Sequence, residues 1–418
     1  MCNKELLPHL FRTEYRKIVS VLCSLFGISH IEVAEDIVSD TFLTATETWS
    51  MKGVPQNPTA WLYTVAKNKT RNYLKRNTLF TKEISGNLVS EPAVEEEISI
   101  DLTERHINDS LLAMIFVVSD PCISDESQIS LALNLLCGFS IQEIAEAFLT
   151  SKESIYKRIS RAKEKLKEKK ISIEPPAAVE IEARLNNVLR TVYLLFNEGY
   201  YSTTQNTILR EDLCAEAMRL NLLLLENEKT NQPVTNALFS LMCFHASRFK
   251  ARTNEEGEII LYDDQDTRLW NRELINQGIH YLKLASSGDR LSRYHLEAGI
   301  AYWHTNKGDS MEKWDNILQL YNHLLTLEYT PIAALNRTYA LSKVYGNETA
   351  IAEAEKLNLT NHHFYHSLLG TLYSGIDQTT ALLHFETAFK LANSTADKTT
   401  IAKKIHNLEA FPSKSKLI

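Results

Sequence analysis

Apolar residues recur along most of this chain at intervals of three and four, the period of a helix that buries one face. Leu10, Phe11, Tyr15, Ile18, Val19, Leu22 and Leu25 outline a first amphipathic helix. A second begins at Val33–Phe42, with Asp36 and Asp40 one turn apart on one face. A third starts at Trp61, Leu62, Val65 and Ala66 and runs into Lys67, Lys69, Arg71, Lys75 and Arg76. Further on, Ile144, Ala145 and Phe148 mark one apolar face, and Ile155 and Ile159 mark another. The break between them is Leu149-Thr150-Ser151, and Ser151 suits the N-cap of a helix starting near Lys152. That pattern reads as a helix-turn-helix, although Leu149 stands where such turns often carry Gly.

Beyond residue 180 the pattern stays helical and begins to repeat. Ala381, Phe385 and Ala388 follow Leu369-Gly370 and Tyr373; Ala350, Ala354 and Leu357 follow Ala340 and Tyr345; Trp314, Leu318 and Tyr321 follow Gly299 and Tyr302. Helix pairs at a period near 34 residues resemble tetratricopeptide repeats, with a plain helical bundle as the alternative. The expected fold class is therefore all-α throughout. Thirteen Gly and ten Pro among 418 residues agree with it.

Charge changes the picture more than composition does. The chain is net −7, yet residues 152–170 carry nine cations against Glu153, Glu164 and Glu168. A helix that cationic can neutralise phosphate while its first turns reach base edges; the bland alternative is a solvated lysine-rich face. From Glu91 to Glu126 the balance reverses, with ten acidic residues against Arg105. Ser85 to Asp101 lacks a helical period and reads as an acidic linker, and the paired prolines in ISIEPPA (172–178) mark another boundary. No stretch approaches the ~18 apolar residues of a membrane span. The first residues lack the apolar core of a signal peptide, and six scattered cysteines without Cys-x-x-Cys suit reduced thiols. A cytoplasmic location is expected.

The segments AEDIVSDTFLTA (34–45), PTAWLYTVAKNKTRNYLKR (58–76) and the helix-turn-helix with its ISRAKEKL tail (159–166) together resemble the bacterial sigma-70 family, in its short extracytoplasmic-function group. YLLFNEGYY (193–201) and DDQDTRLWNRELINQG (263–278) resemble a subgroup with a large tetratricopeptide-like extension. The resemblance implies a region-2 domain over 8–78, an acidic linker over 79–106 and a region-4 domain over 107–170. A second linker over 171–179 and a helical C-terminal domain over 180–412 complete it. It further implies a sigma factor that binds core RNA polymerase, double-stranded promoter DNA and the melted −10 strand. Asp36, Ile37, Asp40, Thr41 and Phe42 would dock on polymerase, unless Ile37 and Phe42 are core and Asp36 merely solvated. Trp61, Lys67, Asn68, Arg71, Asn72, Lys75 and Arg76 would hold the −10 element, with Trp61 equally readable as core. The loop 50–59 would capture a flipped base with Lys52, Gln56 and Asn57. Lys152, Glu153, Ser154, Tyr156, Lys157 and Arg158 would read the −35 element, with Arg161 and Lys163 on phosphates. The linker would thread the polymerase's RNA path or be simply solvated.

No catalytic constellation is visible, and neither a cofactor nor a metal is expected. His362-His363-Phe364-Tyr365-His366 lacks an acidic or Cys partner nearby, and Asp263-Asp264-Gln265-Asp266 lacks the Gly and distal Glu of a calcium loop. The C-terminal domain would assist polymerase binding or sense a protein or ligand. The rival reading is a stand-alone helix-turn-helix regulator with a helical sensor arm; a plain repressor does not require the Asp36–Phe42 helix or the 58–76 segment.

Overall fold

The computed structural model describes residues 3–84, 100–148, 150–174, 178–201, 210–252, 260, 262–393 and 395–410. Regular structure among these residues is helical, and no strand occurs among them. Leu149, most of the acidic linker and the paired prolines Pro175 and Pro176 lie outside them. The chain divides into two compact units, one to Leu194 and one from Leu195.

The first unit holds α1 (Asn3–Phe26), α2 (Ile31–Lys52), α3 (Pro58–Ile84), α4 (Glu104–Val118), α5 (Asp125–Leu131), α6 (Ile141–Ala147) and α7 (Lys152–Glu168). The start of α8 (Ala178–Tyr201) completes it. Its centre is α4, where every residue from Ser110 to Val118 is buried. A helix apolar all round can only be satisfied inside a core. Each such Leu, Ile or Phe contributes about 1.5–3 kcal/mol on burial. The helix packs against α1, so the two blocks that the sequence separates by an acidic linker share one interior. From α8, Arg184 donates to the Phe116 carbonyl at 3.0 Å and Thr191 to the Gln128 side chain at 2.7 Å. Residues 180–194 therefore belong to this interior, although the sequence assigns them to the C-terminal domain.

The second unit continues with α9 (Glu211–Glu226), α10 (Pro233–Ala246), α11 (Phe249–Arg252), α12 (Arg272–Ala285), α13 (Arg293–Trp303) and α14 (Met311–Leu327). It ends with α15 (Pro331–Tyr345), α16 (Asn347–Lys356), α17 (His363–Tyr373), α18 (Gln378–Leu391) and α19 (Thr395–Ala410). The pairs α13/α14, α15/α16 and α17/α18 coincide with the three repeats read from spacing. Ala350, Ala354, Ala381 and Ala388 are fully buried, and Trp314, Leu318 and Phe385 nearly so. Small residues permit the close crossing. A Cβ on Gly370 would lie 2.7 Å from the Phe385 ring, so the α17/α18 crossing needs a hydrogen there.

Candidate nucleic-acid interface

Helix α2 buries Ile31, Ala34, Ile37, Val38, Thr41, Phe42, Ala45 and Trp49 at helical spacing, which leaves Asp36, Asp40, Leu43 and Glu47 on the outer face. Of the five residues expected to dock on polymerase, Asp36 and Asp40 are exposed, whereas Ile37, Thr41 and Phe42 are not. Phe42 sits 5.0 Å from the Phe11 ring, edge-on, and Thr41 donates its hydroxyl to the Ile37 carbonyl at 2.8 Å. Phe42 packs on Phe11 and Tyr15 of α1, and Ile37 and Thr41 are buried as well, so the surface of all three is spent internally. Between Asp40 and Glu47 the outer face carries Leu43, 57% accessible, which the motif reading passed over. The 36/40/43/47 spacing was the available signal.

Gly53, at φ +81°, ends α2 by donating to the Trp49 carbonyl at 3.0 Å, a backbone conformation suited to glycine. Asn57 then caps α3, its side-chain oxygen accepting from Ala60 N–H at 3.0 Å. That oxygen is engaged, while Lys52 and Gln56 remain exposed. Trp61 is half-buried, edge-to-face with Trp49 at 5.4 Å, so its ring is partly structural. Tyr63 donates to Glu14 at 2.6 Å, and Lys69 pairs with Asp40. Along the outside of α3, Asn68, Asn72, Lys75 and Arg76 are exposed, with Lys67 and Arg71 half-buried beside them.

The helix-turn-helix is well capped. Ser140 and Glu143 form a reciprocal capping box at α6, and Ser151 accepts from Ser154 N–H at 3.1 Å at the start of α7. Helix α7 presents three faces. Ile155, Ile159, Ala162 and Leu166 are core. Lys152, Glu153, Tyr156, Lys157 and Arg161 are exposed, and Ser154 and Arg158 half-exposed. The Glu153 carboxylate is held below its usual range by bonds to its own backbone N–H and to the Ser151 hydroxyl. An ionised carboxylate at this tip can accept from a base and repels phosphate.

The third face meets α2. Lys163 is 9% exposed and donates to both carboxylate oxygens of Glu35, at 2.8 and 2.7 Å. Lys167 pairs likewise with Glu32. Lys163 was expected on phosphate; here it is a buried cation neutralised by the other block. Arg12 adds a third link, donating to Glu143 at 2.6 Å and lying over the Phe139 ring.

In the second unit, His366 shares its Nδ1 with His384 Nδ1 at 3.0 Å and its Nε2 with the Thr360 carbonyl at 2.9 Å. It thereby joins α17 to α18. Asp266 caps a short turn through Arg268 N–H, and Lys307 gathers the carbonyls of Asp263 and Gln265. Among the described residues no group of three His, Cys, Asp or Glu could hold a metal ion, and no helix is long and apolar enough to cross a membrane.

Comparisons with known proteins bear on both units. Residues 10–79 match the model of Sigma-70 region 2, residues 124–166 that of Sigma-70 region 4, and residues 184–286 a family of unknown function, DUF6596. A Rhizobium meliloti (strain 1021) protein, named Uncharacterized protein R00370, is 33% identical over 391 residues, which is 92% of each chain. No solved structure matches.

Proposed function

This chain belongs to the sigma-70 family, with regions 2 and 4 followed by a helical C-terminal extension, and from that premise we propose how its parts act in transcription initiation. Helix α2 docks core RNA polymerase through Asp36, Asp40 and Leu43, an apolar contact ringed by carboxylates that suits a basic helical surface. Helix α3 holds the melted −10 strand along Asn68, Asn72, Lys75 and Arg76, with Lys67 and Arg71 behind them. Helix α7 reads the −35 element with its first turns. The observation that carries this reading is the opposite charge of two outward faces: acidic on α2, cationic on α7. The chain provides binding energy and strand separation rather than bond chemistry, and works in the cytoplasm.

The C-terminal unit regulates or assists polymerase engagement. Its stacked helix pairs are tetratricopeptide-like in spacing, an architecture suited to holding a protein partner. Because α8 packs into the first unit up to Thr191, a truncation that tests this role must follow Tyr201.

The decisive experiment is promoter-dependent run-off transcription by core polymerase with this chain, beside an Asp40→Arg/Leu43→Glu variant. Transcription by wild type and its loss in the variant, with unchanged folding, is the expected result. Wild-type duplex binding without any polymerase complex would overturn it in favour of a stand-alone regulator.

A further inference from the structure

We infer that the His366–His384 pair is an acid-released latch on the C-terminal unit: it closes α17 onto α18 near neutral pH and lets them part once both rings are charged. His366, on α17, is 9% exposed, and His384 stands opposite it on α18. Their Nδ1 atoms are 3.0 Å apart, and His366 Nε2 lies 2.9 Å from the Thr360 carbonyl. A carbonyl only accepts, so His366 Nε2 carries a hydrogen. In the neutral ring its Nδ1 is then a lone pair, and His384 Nδ1–H donates into it. Both tautomers are fixed by that carbonyl. One added proton goes to the remaining bare nitrogen, His384 Nε2, and leaves the contact intact. A second can go only to His366 Nδ1, where it would set two N–H groups head to head on two cationic rings. The latch accepts one proton and is broken by two.

The surroundings transmit that break and set what opposes it. His384 precedes Phe385, whose ring fills the crossing at Gly370, so α18 cannot shift without disturbing a contact that has no spare room. Tyr373 of α17 stacks on the His384 ring at 5.7 Å, and Tyr365 meets the His366 ring edge-on at 5.2 Å. From α16, Glu355 accepts from the Tyr373 hydroxyl at 3.0 Å and favours a charged His384. Burial first, and His366 second, outweigh that pull and hold His384 below the ordinary imidazole range. On α18 itself Asp377 caps the helix through the Thr379 and Thr380 N–H groups. From α19, Lys404 faces Thr371 and the Phe385 ring, and Asp397 faces His363 at 3.5 Å. Among the described residues neither of these, and no group on α15, acts on His384. The His363–Asp397 contact gains charge as pH falls, so it works against release. Opened imidazoles take up protons near the ordinary value of about 6.5, whereas the closed pair takes fewer. Opening is therefore coupled to proton uptake: closure is complete above that value and is lost as pH falls.

The test is amide hydrogen exchange of the full chain at about pH 6.5 and about pH 4.5, corrected for intrinsic amide rates. With one proton withheld by the closed pair, opening of α17 and α18 should become about 50-fold more frequent at the lower pH. Helices α13–α16 should change by less than about fivefold. His384→Asn puts an amide where Nδ1 stands, able to donate to His366 or accept from it in either charge state. It should reduce the change in α17 and α18 to about fivefold or less. His363→Asn removes the opposing contact with α19 and should keep the change in full. An acceleration spread evenly over α13–α18, retained in His384→Asn, or lost in His363→Asn would each overturn the latch. Should His384→Asn lack protection at the higher pH already, the imidazole Cε1–H resonances of the wild-type chain decide. Two titration steps, each sensed by both rings, support the latch, and independent single steps remove it.

Discussion

Removing Lys163 should loosen the first unit more than its place on a lysine-rich helix suggests. Its ammonium meets both oxygens of Glu35 at 2.7–2.8 Å, with side-chain exposures of 11% and 19%. At an effective dielectric constant of 20, unit charges about 3 Å apart attract by about 5 kcal/mol. Desolvation of both ions cancels most of that gain. Lys163→Met removes the attraction but leaves Glu35 largely buried beside Tyr15 and Cys23. Burial first, and Glu35 second, already push the protons of both groups onto the neutral form. An orphaned buried charge costs about 3–5 kcal/mol; the residual exposure of Glu35 lowers this to about 2–3 kcal/mol. Glu35→Gln should cost a similar amount. The double variant should cost much less than the sum, because neither charge is then stranded. Amide hydrogen exchange of the full chain, read peptide by peptide, is the suitable assay, since two units need not unfold together. Peptides from α2 and α7 should exchange about 30- to 150-fold faster in each single variant, while α13–α18 remain unchanged. Single variants within about threefold of wild type, or a double variant equal to the product of the singles, would refute the reasoning.

Other outcomes follow from the same geometry. Phe42→Ala opens a cavity against Phe11 and Tyr15 and should cost about 3–5 kcal/mol in urea denaturation. Leu43→Ala should cost under about 0.5 kcal/mol, so equal losses would contradict the placement of the two side chains. Gly370→Ala drives a methyl into Phe385 and should destabilise the α17/α18 pair by about 1–3 kcal/mol, seen as faster exchange in those helices alone. Stability of the first unit should fall on acidification. At Glu32 the upward push of burial is outweighed by the Lys167 bond, its own backbone N–H and the Lys167 and Lys163 charges. At Glu143 burial is outweighed by the Ser140 N–H and hydroxyl, and then by Arg12. Both therefore hold protons less tightly folded than unfolded. Their contribution is complete above the ordinary glutamate value, about 4.3, and is lost as pH falls through the lower folded value. Glu32→Gln should make the decline between pH 6 and 3 shallower, and an identical decline would exclude its part. Finally, burial pushes the thiols of Cys214 and Cys243 up to about 12. Both should resist a disulfide reagent at pH 8 until urea unfolds the second unit.

The elements were legible in the sequence because each rests on local information. Ser151 and the spacing of Ile155 and Ile159 locate α7 without any knowledge of what surrounds it. The α15/α16 and α17/α18 pairs were likewise marked by small residues at recurring positions, since Ala or Gly allows the close crossings seen at Ala381 and Gly370. Where a face is shared by two tasks, local information fails. Phe42 matches a docking motif, yet its ring completes an aromatic cluster with α1; only the position of Phe11 in space distinguishes the two roles. Residues 180–194 read as part of a second domain, because the prolines before them are visible in sequence and the Arg184 and Thr191 bonds to α4 and α5 are not.

The cations of α7 carry that argument furthest. Nine Lys and Arg residues in 152–170 count equally toward a basic helix, but a cation's availability depends on what stands within about 4 Å of it. Lys163 and Lys167 are opposed by carboxylates more than 120 positions earlier in the chain, a distance over which no pattern of spacing connects them. Arg158, Arg161 and Lys165 face hydroxyls instead. The same net charge thus divides into a part that holds the fold together and a part that remains open to phosphate. In the proposed role only the second part, together with the cations of α3, would contribute to the salt dependence of DNA binding.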